Sequence, residues 1–367
     1  MKVALVHDWL VTWGGAENVV KSILKLYPQA DIYTLVCDRK KMEAKFPENK
    51  IFTSSLQKLP FSTKLYTKLL KFMPKAFEEF DFSNYDLVIC SSSCCAKGVI
   101  TPPSVPHIAY IHTPMRYAWD LFFDYKKHSG KLTKFFMNKW MPQIRQWDYI
   151  SSQRIDTLIA NSNYIARRIK KFWNREATVI YPPVDVTPLA NEYKKENYYV
   201  AFSRFVSYKR IDLAIQACGE LNRKLIVIGS GALDTDLKKL ANQYKNTDIT
   251  FTGRIDYDKV HEIIGKSKAL IFCAEEDFGI IPVEVQALGV PVIAYNKGGA
   301  CETVKENISG VFFDKQETEC VKNAIKRFEE LDEKGTFKKN LIIEHAQSFS
   351  EERFLKEFSE IVTKTIQ

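Results

Sequence analysis

Two glutamates stand eight residues apart in the run Glu276-Asp277-Phe278-Gly279-Ile280-Ile281-Pro282-Val283-Glu284, which continues as Val285-Gln286-Ala287-Leu288-Gly289. Gly279 permits close backbone approach, and Pro282 suits the first turn of a helix. Glu276 then ends a loop, and Glu284 lies on the helix about two turns further on. Two carboxylates so placed can grip hydroxyls at two points of one ligand. The surrounding residues are apolar, and burying a glutamate without a partner is costly, so a pair of merely solvated glutamates is the poorer reading.

Other segments carry charge or glycine where a phosphate could bind. Ser203-Arg204-Phe205-Val206-Ser207-Tyr208-Lys209-Arg210 puts Arg204 and Lys209 on a loop entering a helix. Two cations there, with free backbone donors, can neutralise a diphosphate. A solvated basic turn fits the same residues. After His7-Asp8-Trp9, the glycines of Gly14-Gly15-Ala16-Glu17 open a helix, where N–H groups and the positive dipole end favour an anion. An ordinary strand-to-helix turn would look alike. Gly229-Ser230-Gly231 is half of a dinucleotide fingerprint with the third glycine missing. Asp234-Thr235-Asp236 has the spacing of a metal-binding Asp-x-Asp pair, but it opens a helix expected over Leu233–Tyr244, as cap and dipole partners. Of eight cysteines, Cys90, Cys94 and Cys95 cluster; with no histidine cluster beside them they read as buried free thiols rather than metal ligands.

The elements that must position these residues alternate. Val3–Val6, Leu87–Cys90, His107–Ile111 and Thr157–Ala160 read as strands in the first half; Tyr198–Phe202, Leu225–Ile228, Ile249–Phe251, Ala269–Phe272 and Val292–Ala294 do so in the second. Helical periodicity fills the gaps, as in Ala16–Leu26 and Ile211–Leu221. Such alternation implies parallel sheets covered by helices, with ligands beyond the carboxyl ends of the strands. It occurs twice, on either side of Tyr181-Pro182-Pro183-Val184-Asp185, whose prolines suit a domain boundary. The composition, 46% hydrophobic and 26% charged over 367 residues, is that of a globular protein. No apolar stretch is long enough for a membrane span, and Met1–Val6 runs into a strand without the pattern of a signal peptide, so a cytoplasmic location is expected. The net charge of +9 is uneven: residues 1–185 carry 27 basic and 16 acidic side chains, and residues 186–367 carry 26 and 28. A basic half suggests an anionic partner.

The Gly-Gly-Ala-Glu turn, the Arg-x4-Lys loop and the Glu-x7-Glu spacing, in this order, resemble the retaining glycosyltransferases of family 4. That resemblance covers nearly the whole chain. It implies the GT-B fold, an α/β architecture of two Rossmann-like domains facing each other across a cleft. The division is then an acceptor-binding domain over 1–185, a nucleotide-sugar-binding domain over 186–345, and a C-terminal helix within 346–367 that returns to the first domain. By the same resemblance Glu276 would bond the donor sugar's hydroxyls and Glu284 the ribose. Arg204 and Lys209 would hold the diphosphate, with Gly14, Gly15, Phe278, Gly279, Ile280 and Ile281 completing the diphosphate and sugar site. Ser203, where the family often has glycine, and Gly229 would lie beside it. Arg254 and Ile255 would flank the nucleobase, and His112 matches the family's sugar-side histidine. Gly298-Gly299-Ala300-Cys301-Glu302 matches its second glycine loop.

The chemistry implied is glycosyl transfer with retention, in which Arg204 and Lys209 serve the diphosphate leaving group as a divalent ion does elsewhere, with no metal or further cofactor. Front-face attack is favoured over double displacement, since no Asp or Glu stands out as a nucleophile. The run Tyr110-Ile111-His112-Thr113-Pro114-Met115-Arg116-Tyr117, with Ser203–Arg210, looks like the bacterial mannosyltransferase branch, so GDP-mannose is the expected donor and a UDP- or dTDP-sugar the alternative. Gln57–Phe77 sets Lys64, Lys68, Lys71 and Lys75 at helical spacing among Leu, Phe and Tyr, and Phe122–Trp147 adds aromatics and cations. Both suit an anionic bilayer and a glycan or lipid-linked sugar acceptor in bacterial surface polysaccharide synthesis, on the inner face of the cell membrane. A packed helix with solvated lysines is the plainer alternative. A monomer or weak homo-oligomer is expected. Nucleic-acid binding lacks a recognition motif, a dehydrogenase lacks the full fingerprint, and a sugar epimerase or phosphorylase of GT-B fold remains the nearest rival.

Overall fold

The computed structural model describes residues 1–127, 129–187 and 193–367. The chain forms two compact units: Met1–Pro183 together with Glu351–Gln367, and Val184–Ser350.

The first unit is built on a seven-stranded sheet of β1 (Val3–His7), β2 (Asp31–Thr34), β3 (Ile51–Thr53), β4 (Leu87–Ser92), β5 (His107–Ile111), β6 (Thr157–Ala160) and β7 (Thr178–Val179). The order is β3-β2-β1-β4-β5-β6-β7 and every pairing is parallel. The central strands β1, β4 and β5 are buried along their whole length, as near-continuous apolar runs in a covered parallel sheet must be. Alternate residues feed different cores. Ala4, Val6, Val88 and Ala109 meet Met137, Ile144, Ile165 and Trp173, whereas Val3, Leu5, Ile89 and Ile108 meet Val19, Val20, Ile23, Phe354 and Phe358. The first face is covered by α2 (Lys131–Ser152) and α3 (Asn163–Trp173), the second by α1 (Gly15–Leu26) and the C-terminal helix Glu351–Ile366. The C-terminal helix is also tied by polar contacts: Ser22 Oγ and Lys25 Nζ donate to the Glu351 carboxylate at 2.7 and 2.5 Å.

A charged group is buried on the α2 side. Lys97, 1% exposed, sets Nζ 3.0 Å from Asp148 Oδ1, and the other carboxylate oxygen accepts from Trp119 Nε1 and Trp173 Nε1, each at 2.7 Å. The Lys97 ammonium also lies 4.7 Å from the Trp173 ring centre. The ion pair and the two indole donors offset the cost of burying both charges and tie α2 to the turn after β4.

In the second unit the six strands are β8 (Tyr199–Phe202), β9 (Leu225–Ile228), β10 (Ile249–Gly253), β11 (Ala269–Phe272), β12 (Val292–Tyr295) and β13 (Gly310–Phe313), in the order β10-β9-β8-β11-β12-β13 and again all parallel. One face packs on α4 (Ile211–Leu221), α5 (Asp234–Ala241) and α8 (Thr318–Glu333); the other packs on α6 (Tyr257–Lys266) and α7 (Ile280–Ala287). In both sheets the chain starts in the middle, builds outward to one edge, then crosses back and builds to the other. The crossing points, β1/β4 and β8/β11, are where loops diverge and leave a crevice at the strand ends.

Some elements differ from the sequence reading. β2, β3, β7 and β13 have two to four residues with polar or glycine positions, so no apolar run marks them. The helix expected over Leu233–Tyr244 ends at Ala241, and its N-cap is Leu233 without a side-chain cap. Asp234 and Asp236 therefore lie inside the first turn, and Asp234 Oδ2 accepts from Lys238 Nζ at 2.7 Å. Gln57–Phe77 is not one helix. Ser62–Leu65 is α, Tyr66–Phe72 is 3-10 and Met73–Glu78 is α again. A 3-10 turn holds three residues, so positions four apart drift off a common face. Lys64, Lys68, Lys71 and Lys75 are nonetheless all exposed.

Candidate functional site

The crossing point of the second sheet brings two of the expected residues into contact. Lys209 leaves the loop after β8, and Glu276 lies on the loop after β11. Lys209 Nζ donates to Glu276 Oε1, and the two side chains are only 10% and 19% exposed. Arg204, on the same loop as Lys209, is exposed, and its guanidinium makes no hydrogen bond or ion pair among the described residues.

Glycines explain how the loops come so close. Gly298 has φ +72°, and a Cβ there would stand 2.4 Å from the Glu276 carbonyl oxygen. A Cβ on Gly299 would stand 2.2 Å from Phe278 Cα. With neither Cβ present, Gly299 N–H donates to the Glu276 carbonyl at 2.7 Å, locking the loop that carries Glu276 onto the turn before Ala300–Thr303. Gly279 caps α7 at φ +88°, ψ +65°, a left-handed conformation that favours glycine. Ile280 and Ile281 form the first turn of α7, and Phe278 is buried behind them. Gly229, at φ +129°, lies under the Ser203 carbonyl, where a Cβ would be 1.9 Å away.

Glu284 sits on α7, half-buried. Its Oε1 accepts from Tyr257 Oη at 2.8 Å. Burial pushes its carboxyl above the ordinary value, and donation by Tyr257 offsets part of that. Arg254, just past β10, is exposed and donates from Nε to Ser230 Oγ at 3.0 Å, with half-buried Ile255 beside it.

His112, Gly14 and Gly15 belong to the first unit. Gly14 is the N-cap of α1 in extended conformation, and Gly15 is its first residue. A Cβ on Gly14 would lie 3.3 Å from Glu17 Oε2. His112 follows β5, its Nε2 2.8 Å from Ser91 Oγ. Burial, then the nearby charge of His7, lowers the His112 pKa to about 3. Asp8 lies at the same strand ends, but its carboxylate is committed: Ser93 and Cys94 N–H donate to Oδ2 at 2.5 and 2.9 Å, and Cys95 and Ala96 N–H donate to Oδ1 at 2.8 Å each. The sulfurs of Cys90, Cys94 and Cys95 are buried, and burial drives the Cys90 and Cys95 thiols well above their ordinary range, away from thiolate chemistry. Among the described residues no three His, Cys, Asp or Glu side chains gather as around a metal ion.

The sequence reading named the two glutamates and the two cations but not the Lys209–Glu276 pairing. It also missed Tyr257 and gave His7 and Ser91 no role. A tyrosine in a helix's first turn and a serine inside a buried strand carry no spacing signal; the wound topology alone collects them.

A family model described as Glycosyltransferase Family 4 matches residues 13–187, and one described as Glycosyl transferases group 1 matches residues 189–345. The alpha-1,3/1,6-mannosyltransferase of Saccharomyces cerevisiae is 25% identical over 215 residues, covering 44% of this chain and 43% of the yeast protein. A GDP-mannose-dependent monoacylated alpha-(1-6)-phosphatidylinositol monomannoside mannosyltransferase of Corynebacterium glutamicum is 30% identical over 179 residues, 41% of this chain and 47% of that protein. The chain thus spans about half the length of the curated relatives it matches. In three dimensions, Anabaena HepE, solved in complex with UDP, superposes with a TM-score of 0.73 at 17% identity, over 99% of this chain and 100% of that one. The two family models run nearly end to end over residues 13–345, and the two wound parallel sheets are those of the GT-B fold, so the chain belongs to the family 4 glycosyltransferases.

Proposed function

We propose that this protein is a retaining hexosyltransferase that moves mannose from GDP-mannose to a glycan or lipid-linked saccharide. The observation that carries the reading is the Lys209–Glu276 pair at the crossing point of the second sheet, where the fold opens a crevice. Lys209 and Arg204 stabilise the diphosphate as the glycosidic bond breaks, Glu276 bonds the sugar's hydroxyls, Glu284 takes the ribose, and His112 serves the sugar. Asp8, its oxygens occupied by four backbone N–H groups, is unsuited to be a nucleophile, which favours front-face attack. The mannosyl relatives in yeast and Corynebacterium support mannose as the sugar. The UDP bound to Anabaena HepE favours a second reading, a UDP-sugar donor.

A thermal-shift series separates these, because a ligand that binds only the folded state raises its stability by mass action. GDP and GDP-mannose are expected to raise Tm at concentrations where UDP and UDP-glucose do not; the reverse order would hand the donor site to uridine. Release of GDP on adding a saccharide acceptor, undiminished by excess EDTA, is the expected activity. Loss in EDTA with recovery in magnesium would return the leaving-group role to a metal.

The acceptor side is proposed to dock on an anionic membrane. Among the described residues no helix is long and apolar enough to cross one. Phe61, Leu65, Phe72, Phe123, Leu132 and Phe135 are exposed among lysines, and Lys71 Nζ lies 4.9 Å over the Trp140 ring, joining the Gln57–Phe77 segment to α2. Cosedimentation with anionic but not neutral vesicles is expected. Replacing Lys64, Lys68, Lys71 and Lys75 with Ser should weaken it, each lysine contributing about 1 kcal/mol near the surface. Undiminished binding in that variant would make these lysines merely solvated.

A further inference from the structure

At the crossing point of the first sheet, side chains from β1, β4 and the end of β5 form one hydrogen-bonded row. His7 Nδ1 lies 3.1 Å from the Ser91 carbonyl oxygen and 3.2 Å from Ser91 Oγ. Ser91 Oγ lies 2.8 Å from His112 Nε2. At the other end His7 Nε2 is 3.5 Å from Glu17 Oε1. His7, Glu17 and Ser91 are buried, so their protons have few places to go.

The proton positions follow from the partners. A carbonyl oxygen only accepts, so His7 Nδ1 carries a hydrogen and donates it to Ser91. That nitrogen cannot then accept from the Ser91 hydroxyl. Among the described residues the acceptor left within reach of the hydroxyl proton is His112 Nε2. The opposite arrangement, with the hydrogen on His112 Nε2, strands a buried hydroxyl proton, which is costly. The His112 ring hydrogen therefore sits on Nδ1. Burial pulls the His7 pKa down, but the Glu17 and Asp8 carboxylates and the Ser91 carbonyl outweigh it and hold it above the ordinary histidine value. His7 Nδ1 thus donates to Ser91, while its Nε2 faces the Glu17 carboxylate.

We propose that Ser91 and His7 are positioning residues that lock His112 in the Nδ1–H tautomer, so that His112 meets its ligand as a neutral hydrogen-bond donor and not as a base. This rests on the reading that His112 serves the donor sugar. It adds that the sugar group opposite His112 is an acceptor, a hydroxyl or ring oxygen offering a lone pair.

The tautomer is read directly in the full chain labelled with 15N-histidine, from long-range proton–nitrogen couplings, with the His112 signals assigned by their loss in His112→Gln. The wild type is expected to show Nδ1–H at His112, and Ser91→Ala to show the Nε2–H form. Nε2–H in the wild type overturns the proposal whatever the variants do. In turnover assays Ser91→Ala should lower kcat about tenfold or more with little change in donor KM, because the ligand is bound but met by the wrong ring atom. Ser91→Thr, which keeps the hydroxyl, should restore most of it. His7→Asn, which keeps a donor near the place of Nδ1, should lose less than His7→Leu. Wild-type kcat in Ser91→Ala while His112→Ala is impaired overturns the positioning role alone. Full activity in His112→Ala overturns the functional reading of His112 and this inference with it.

Discussion

Lys209 and Glu276 neutralise one another in a mostly buried position, so a change at either alters both. Glu276→Ala removes a carboxylate and leaves the Lys209 ammonium without its partner. It should cut kcat by about two orders of magnitude or more, through contacts made in the transition state. Glu284, held by Tyr257 on α7, is proposed to serve binding; Glu284→Ala should raise the donor's KM and change kcat little. Steady-state kinetics on the two variants checks the division, and near wild-type kcat in Glu276→Ala would take that residue out of the site. His107, like His112, contributes to acid sensitivity. His107 is fully buried beside Cys90; burial first, then the charges of Arg154 and Lys97, lower its pKa to about 3. The fold thus favours neutral imidazole. Below the unfolded value of about 6.5 the unfolded chain takes up a proton that the native state refuses, so this contribution falls with pH. Between pH 7 and pH 5 it amounts to about 2 kcal/mol. His107→Leu should show a flatter urea-unfolding stability over that interval than the wild type; parallel slopes would place the acid sensitivity elsewhere.

Among the elements, α2 is held by a device that the sequence does not advertise. Lys97→Met leaves the Asp148 carboxylate with two indole donors but no cation, and should cost about 3–5 kcal/mol in urea unfolding. The double variant Lys97→Met/Asp148→Leu should recover only part, because it strands the Trp119 and Trp173 N–H groups. Full recovery would mean that the indoles find other partners. Lys97 was invisible in the sequence because lysine is read as a surface residue, and its partner lies 51 positions away. The strands that form the sheet centres were legible, since burial on both faces demands unbroken apolar runs. The edge strands β3 and β7 were not, because two or three half-exposed residues leave no pattern. Within the candidate site, residues on strand-end loops were legible by type and spacing: Glu276, Lys209 and Gly298-Gly299. His7, Ser91 and Tyr257 were not, because their contacts exist only once separate strands or helices are side by side. The lysines of Gln57–Phe77 were legible as exposed but not in their geometry, which the 3-10 turn changes.

At the scale of the molecule, the two halves differ in charge and in continuity. The surplus of positive charge lies in residues 1–185, which carry 27 basic against 16 acidic side chains, so the proposed membrane association is expected to be salt-sensitive and to map to that half. The second unit is one unbroken stretch, Val184–Ser350, whereas the first is Met1–Pro183 completed by Glu351–Gln367. Phe354 and Phe358 are wholly buried beneath the first sheet, in the same core as Leu5 and Ile89. Ending the chain after Ser350 removes both, at about 3–5 kcal/mol for each phenylalanine, a sum comparable to the whole stability of an ordinary domain. Such a chain should lose the cooperative unfolding of the first unit and become protease-sensitive there, while the second unit stays resistant. Equal resistance in both would mean that the helix is an accessory. During vectorial synthesis the consequence is an inverted order of maturation. The half that leaves the ribosome first is expected to complete its core only once residues beyond 350 are made, and a chain broken off just after Ser350 would leave the earliest-made sheet uncovered while the later unit is whole.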